Sequence, residues 1–132
     1  MAERYPTVLV ADDDELLRFA VRAALESDGC HVIEVESGEQ AVLAVSEQSV
    51  DVVILDAHMP GWSLSETLDA LRESAETRGL GVVVVSGGPV ELGDHAPFVL
   101  SSLRKPVSLD TLKTVIRSIA PNQDTVRSGP IW

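Results

Sequence analysis

Five polar side chains stand out because of where they fall: Asp12 and Asp13, Asp56 and Ser86 follow directly on short apolar runs, and Lys105 comes just after the segment expected to be the last strand. Carboxylates gathered in one pocket repel each other and raise one another's pKa unless a cation sits among them. Oxygen-only donors in small number suit a hard ion that keeps several of its waters, and Mg²⁺ fits best. The open positions of such an ion would accept phosphoryl oxygens, Lys105 would neutralise another oxygen as a point charge, and the Ser86 hydroxyl would donate a hydrogen bond to a third. The chemistry this set could perform is phosphoryl transfer to a carboxylate, driven by positioning and electrostatics.

Each residue also has a plainer explanation. Asp12, Asp13 and Asp14 precede a helix starting near Glu15 and could simply cap it. Asp56 could cap a turn containing Pro60 and Gly61, Ser86 could open the Gly87-Gly88 turn, and Lys105 could be a solvated lysine before Pro106. What these explanations leave out is that the groups all fall at ends of successive strands.

The runs are Val8 to Val10, Val32 to Val35, Val52 to Leu55 and Val82 to Val85, with a fifth strand expected between Phe98 and Leu103. Between them, Leu17, Ala20, Val21 and Ala24 fall at helical spacing, as do Leu64, Leu68, Leu71 and Ala75. A weaker helix is read from about Glu39 to Glu47. A strong last one starts at Ser108 and is expected to bury Leu109, Leu112, Ile116 and Ile119 until Pro121 stops it. Strands alternating with helices imply an α/β fold: a five-stranded parallel sheet, doubly wound, with order 2-1-3-4-5 and right-handed crossovers. In that architecture, sites form where the carboxyl ends of the strands converge.

The 132 residues fit one domain, read as 6–120, followed by a polar tail over 121–132 that is expected to be flexible. Hydrophobic content of 45% with 4% aromatics suits a core of Val, Leu, Ile and Ala. With 21 acidic and 10 basic residues, the net charge of -11 repels nucleic-acid backbones and anionic lipid, so neither is expected as a direct partner. The single cysteine, Cys30, has no partner for an internal disulfide and no zinc-binding spacing around it. No apolar run has the length of a signal peptide or a membrane span, so a cytoplasmic location is expected.

At the level of motifs the chain resembles the receiver domain of two-component response regulators. VLVADDD resembles the family's acidic pair after strand one, which implies that Asp12 and Asp13 bind Mg²⁺, with Asp13 the direct ligand. VVILDAHMPG is similar to the phosphoacceptor segment, which makes Asp56 the nucleophile and a metal ligand and makes the backbone carbonyl of His58 a further ligand. VVVVSG carries the switch hydroxyl at Ser86, and LRKP carries Lys105 followed by Pro106 in a bond the family keeps cis. The resemblance implies a phosphoacceptor switch rather than an enzyme. Its phosphodonor would be a histidine kinase or phosphotransferase, and its output would be contact with a downstream protein in a phosphorelay. A phosphorylation-dependent dimer is one form that contact could take.

The chain departs from the family's pattern in three places. Ser63-Leu64 stands where an acidic or small residue and a Gly are usual. Ser102, three residues before Lys105, occupies the place of a switching aromatic. Lys105 follows Ser86 by only 19 positions, and the Gly- and Pro-rich SGGPVELGDHAP between them predicts a shortened fourth helix. This compressed segment is similar to that of single-domain receivers known as the FATGUY group and of receivers fused behind hybrid kinases, with Gly88 in place of the group's Tyr. The departures leave open a pseudo-receiver, an interaction module without phosphotransfer. A second alternative is a phosphohydrolase of the haloacid-dehalogenase type, which would read Asp12 and Asp14 as its DxD pair and leave Asp56 without a role.

Overall fold

The computed structural model describes residues 5–119; the tail read over 121–132 lies outside them. The strands are β1 (Thr7–Ala11), β2 (His31–Val35), β3 (Val52–Asp56), β4 (Gly81–Ser86) and β5 (Val99–Arg104). The helices are α1 (Glu15–Ser27), α2 (Gly38–Glu47), α3 (Leu64–Arg78) and α4 (Leu109–Ile119). A 3-10 helix, Gly93–Phe98, occupies the place of the helix expected between β4 and β5. The five strands form one parallel sheet in the order β2-β1-β3-β4-β5, so the doubly wound, flavodoxin-like reading holds.

Every residue of β3 and β4 is buried, because helices cover both faces of the sheet. On one face Leu9, Val53, Leu55, Val82 and Val84 meet Ala41, Val45, Leu68 and Leu71 from α2 and α3. On the other, Val8, Val10, Ile54, Val83 and Val85 meet Val21, Leu25, Leu112 and Ile116 from α1 and α4. Alternate residues of each strand therefore serve opposite cores, which is why these strands read as unbroken apolar runs.

Helix starts follow the sequence closely. Asp14 caps α1, accepting from the amides of Leu16 and Leu17, and Ser63 with Glu66 forms a capping box on α3. Gly79 ends α3 in the left-handed region at φ 73°, a conformation glycine adopts without a Cβ clash. The last helix differs from expectation at its first turn. Ser108 accepts from the Thr111 amide as a cap, and Leu109 stays 39% exposed instead of joining the core. Leu112 and Ile116 are buried as expected, and Ile119 packs against the same core while staying partly exposed.

Helices α2 and α3 pack closely through Gly38. A Cβ there would overlap Thr67 Oγ1 and lie 3.1 Å from Thr67 Cβ, and Thr67 is 1% exposed with its hydroxyl donating to the Ser63 carbonyl. Gly38→Ala is therefore expected to destabilise the protein by about 1–3 kcal/mol in urea unfolding, the range of overpacked cores. Adding Thr67→Ala should restore part of that loss, since the overlapping hydroxyl is gone but Cβ remains.

Candidate functional site

The carboxyl ends of β1, β3 and β5 meet at one edge of the sheet. Asp12 and Asp13 leave β1, Asp56 is the last residue of β3, and Lys105 follows β5. One carboxylate oxygen from each of Asp12, Asp13 and Asp56 lies within 4.8 Å of the others. Asp12 and Asp56 are buried, at 5% and 6% exposure, while Asp13 faces outward. Lys105 reaches across the group, with Nζ 3.4 Å from Asp12 Oδ2 and 3.6 Å from Asp56 Oδ1.

Local hydrogen bonds fix these side chains. The Asp14 amide donates to Asp12 Oδ1 at 2.9 Å, and the His58 amide donates to Asp56 Oδ1 at 3.2 Å. The cis Lys105–Pro106 bond is present, and the Lys105 amide donates to the Ser86 carbonyl at 2.7 Å. Ser86 is buried at the end of β4, but its hydroxyl donates to the Gly88 carbonyl within its own turn. His58 presents an exposed side chain beside Met59, Pro60 and Trp62, which line an open groove with Asp13.

Charge in the pocket is unbalanced. Burial pushes the Asp12 carboxyl above its ordinary value of 3.8; the Asp14 amide works against this, the Asp56 charge adds to it, and Lys105 offsets it only in part. For Lys105, burial works to lower the pKa, but the charges of Asp12 and Asp56 outweigh it and leave the ammonium held more firmly. Three carboxylates against one ammonium, in a pocket with oxygen donors only, suit a hard divalent cation.

This imbalance has a consequence for stability in the absence of divalent cations. An acid raised above its unfolded value binds more protons in the folded state, so stability falls as pH rises from 3.8 through the folded-state value and is regained on acidification. Asp12→Asn should remove that component. In chelator, the variant's unfolding midpoint should exceed the wild type's at pH 7, and the gap should narrow toward pH 4.

Sequence reading anticipated Asp12, Asp13, Asp56 and Lys105 as a group, and the fold brings all four together. The Ser86 side chain is placed alongside but makes its hydrogen bond locally. Asp14 serves as the α1 cap, so the second carboxylate of a DxD pair is committed outside the pocket. One residue was overlooked. Arg18 is buried at 8% exposure, and its Nη1 donates to the Asp12 carbonyl at 2.7 Å. Its signal was a charged residue three before Val21 and seven before Leu25, on the apolar stripe of α1.

A match to the response regulator receiver domain family covers residues 8–117, and the chain belongs to that family. It is 28% identical over 115 residues to protein PilH of Pseudomonas aeruginosa, a match covering 85% of this chain and 95% of that protein. It is 30% identical over 122 residues to the sensor protein GacS of Pseudomonas syringae pv. syringae, covering 88% of this chain but 14% of that protein. The chain thus corresponds to one small part of the sensor proteins it matches. Among solved structures, a response regulator receiver protein from Pseudomonas putida superposes with a TM-score of 0.78 at 30% identity, covering 89% of this chain and 99% of that one. The protein is a receiver domain of the kind used in two-component signalling. Among the described residues, no helix is long and apolar enough to cross a membrane.

Proposed function

We propose that this receiver acts as a phosphoacceptor switch, with Asp56 as the residue that takes the phosphoryl group from a histidine kinase or phosphotransferase. The observation that carries this reading is the joint placement of three carboxylate oxygens within 4.8 Å and the Lys105 ammonium 3.6 Å from Asp56 Oδ1. Asp56 would attack the phosphorus of a phosphohistidine. The P–N bond breaks, the imidazole leaves on taking up a proton, and an acyl phosphate forms on the Asp56 carboxylate. Mg²⁺ held by Asp12, Asp13, Asp56 and the His58 carbonyl would supply charge neutralisation at the phosphoryl oxygens. Lys105 exchanges its contact with Asp56 for a phosphoryl oxygen. The Ser86 hydroxyl gives up the Gly88 carbonyl to donate to another, drawing the β4 turn inward.

The added charge of about -1.5 to -2 then favours a closed arrangement of the loops after β4 and β5. A downstream protein that prefers the closed form shares the free energy of the switch. The output face in this reading comprises the 3-10 helix, β5 and α4, whether it meets another protein or a second copy of this chain. The domain is taken to span 6–120 and to work in the cytoplasm, where the phosphodonor and Mg²⁺ are both available.

The test is incubation with Mg²⁺ and acetyl phosphate followed by intact mass. A gain of one phosphoryl group that disappears with chelator is expected. No gain, together with no amide shifts on adding beryllofluoride, overturns the phosphoacceptor reading and leaves a pseudo-receiver that works by contact alone.

A further inference from the structure

Arg18 is an expensive residue where it stands. It occupies the inward stripe of α1 with Val21 and Leu25 and is 8% exposed. Its guanidinium forks between two acceptors: Nη1 donates to the Asp12 backbone carbonyl at 2.7 Å and Nε to Glu34 Oε1 at 3.2 Å. Glu34 in turn accepts from Arg22 at 3.1 Å through its other oxygen. An apolar side chain of similar volume would hold α1 on the sheet at least as well, because a buried ion pair seldom outperforms hydrophobic packing.

What packing cannot supply is the hold on Asp12. The Asp12 amide donates to the Val35 carbonyl at 3.2 Å, its Oδ1 accepts from the Asp14 amide at 2.9 Å, and its carbonyl accepts from Arg18. With these three bonds both peptide groups of Asp12 and its carboxylate are tied. Asp13, the next residue, carries the outward carboxylate of the cluster and depends on the same turn for its direction.

We infer that Arg18 is a positioning residue for the acidic site: by holding the Asp12 carbonyl it sets the turn between β1 and α1, so that the carboxylates of Asp12 and Asp13 meet a divalent cation beside Asp56. This rests on the proposed Mg²⁺-binding role of the cluster. Partners that orient a metal's ligands typically change affinity by about 10–100-fold when lost.

The experiment is a Mg²⁺ titration followed through the backbone amide shifts of Asp13, Asp56 and Ala57, which reports binding and folding together without requiring turnover. Arg18→Met is expected to weaken Mg²⁺ by roughly tenfold or more while the shifts of β3 and β4 stay in place. Arg18→Lys, which donates from a point rather than a fork, should fall between the two. Glu34→Gln keeps an acceptor for Arg18 but removes the ion pair, and should bind Mg²⁺ about as tightly as the wild type.

A folded Arg18→Met protein with wild-type Mg²⁺ affinity overturns the inference, as does Glu34→Gln losing as much affinity as Arg18→Met, which would mark the pair as a brace between α1 and β2. If Arg18→Met does not fold, Arg18→Lys decides, and wild-type affinity there overturns it. A wild type that shows no Mg²⁺ response rejects the metal reading itself, and this inference with it.

Discussion

Asp56→Asn is expected to end phosphoryl uptake, lowering incorporation from acetyl phosphate by at least roughly 10³-fold while leaving the fold intact. The amide occupies nearly the same volume at the end of β3 and keeps one oxygen for the His58 amide, which now donates to Asp56 Oδ1. It has no anionic oxygen with which to attack phosphorus. Its neutrality also relieves the repulsion felt by Asp12, where the Asp56 charge adds to the effect of burial. In chelator the variant should therefore unfold at a higher temperature than the wild type, an outcome a general loss of structure cannot imitate. Intact mass after matched incubations, read beside thermal unfolding, checks both halves. Label that survives in Asp56→Asn but disappears in Asp12→Asn would move the nucleophile to Asp12.

Most of the fold was legible because β3 and β4 are buried on both faces and so carry no polar interruption until they reach the site. The polar residue that ends each run marks the site and the strand boundary at once. Legibility failed where a contact depends on distant chain. Arg18 was missed because its partners, the Asp12 carbonyl and Glu34, lie on other elements and only the fold brings them to α1. Leu25 continues the α1 stripe into the core, yet the stripe read from sequence stopped at Ala24. In β5 the register slips between Val82 and Val83 of its neighbour, leaving Leu100 out of the pairing and 56% exposed. A bulge of this kind has no sequence period to announce it.

The same region holds Ser102, which stands where the family's pattern has a switching aromatic. That position is exposed on β5. The nearby aromatic is Phe98, which is buried where the 3-10 helix meets the strand. It meets His95 edge-on at 5.8 Å and lies under the Arg72 guanidinium at 5.6 Å, while His95 bonds to Asp69 of α3 at 2.7 Å. The compressed segment is thus tied to α3 through side chains of its own. In the proposed switch, movement of the β4 turn would reach the surface through this anchored segment instead of through a ring turning on β5.

Leu55→Ala should separate stability from chemistry in the opposite sense to Asp56→Asn. Leu55 is 0% exposed and directly precedes the proposed phosphoacceptor, but the strand's alternation turns its side chain into the core of α2 and α3 while Asp56 turns toward the site. Truncating a buried leucine typically costs about 2–5 kcal/mol from lost burial and the cavity left behind, against a total of roughly 5–15 kcal/mol for an ordinary domain. The urea midpoint should therefore fall sharply. The backbone pairing of β3 with β1 and β4 on both sides is unaltered by the change, so Asp56 keeps its place. Below the unfolding transition, Leu55→Ala should take up phosphoryl groups at close to the wild-type rate. Uptake falling in step with stability would instead mean that the Leu55 packing itself sets the geometry of the carboxylate cluster, and that site and core are a single cooperative unit.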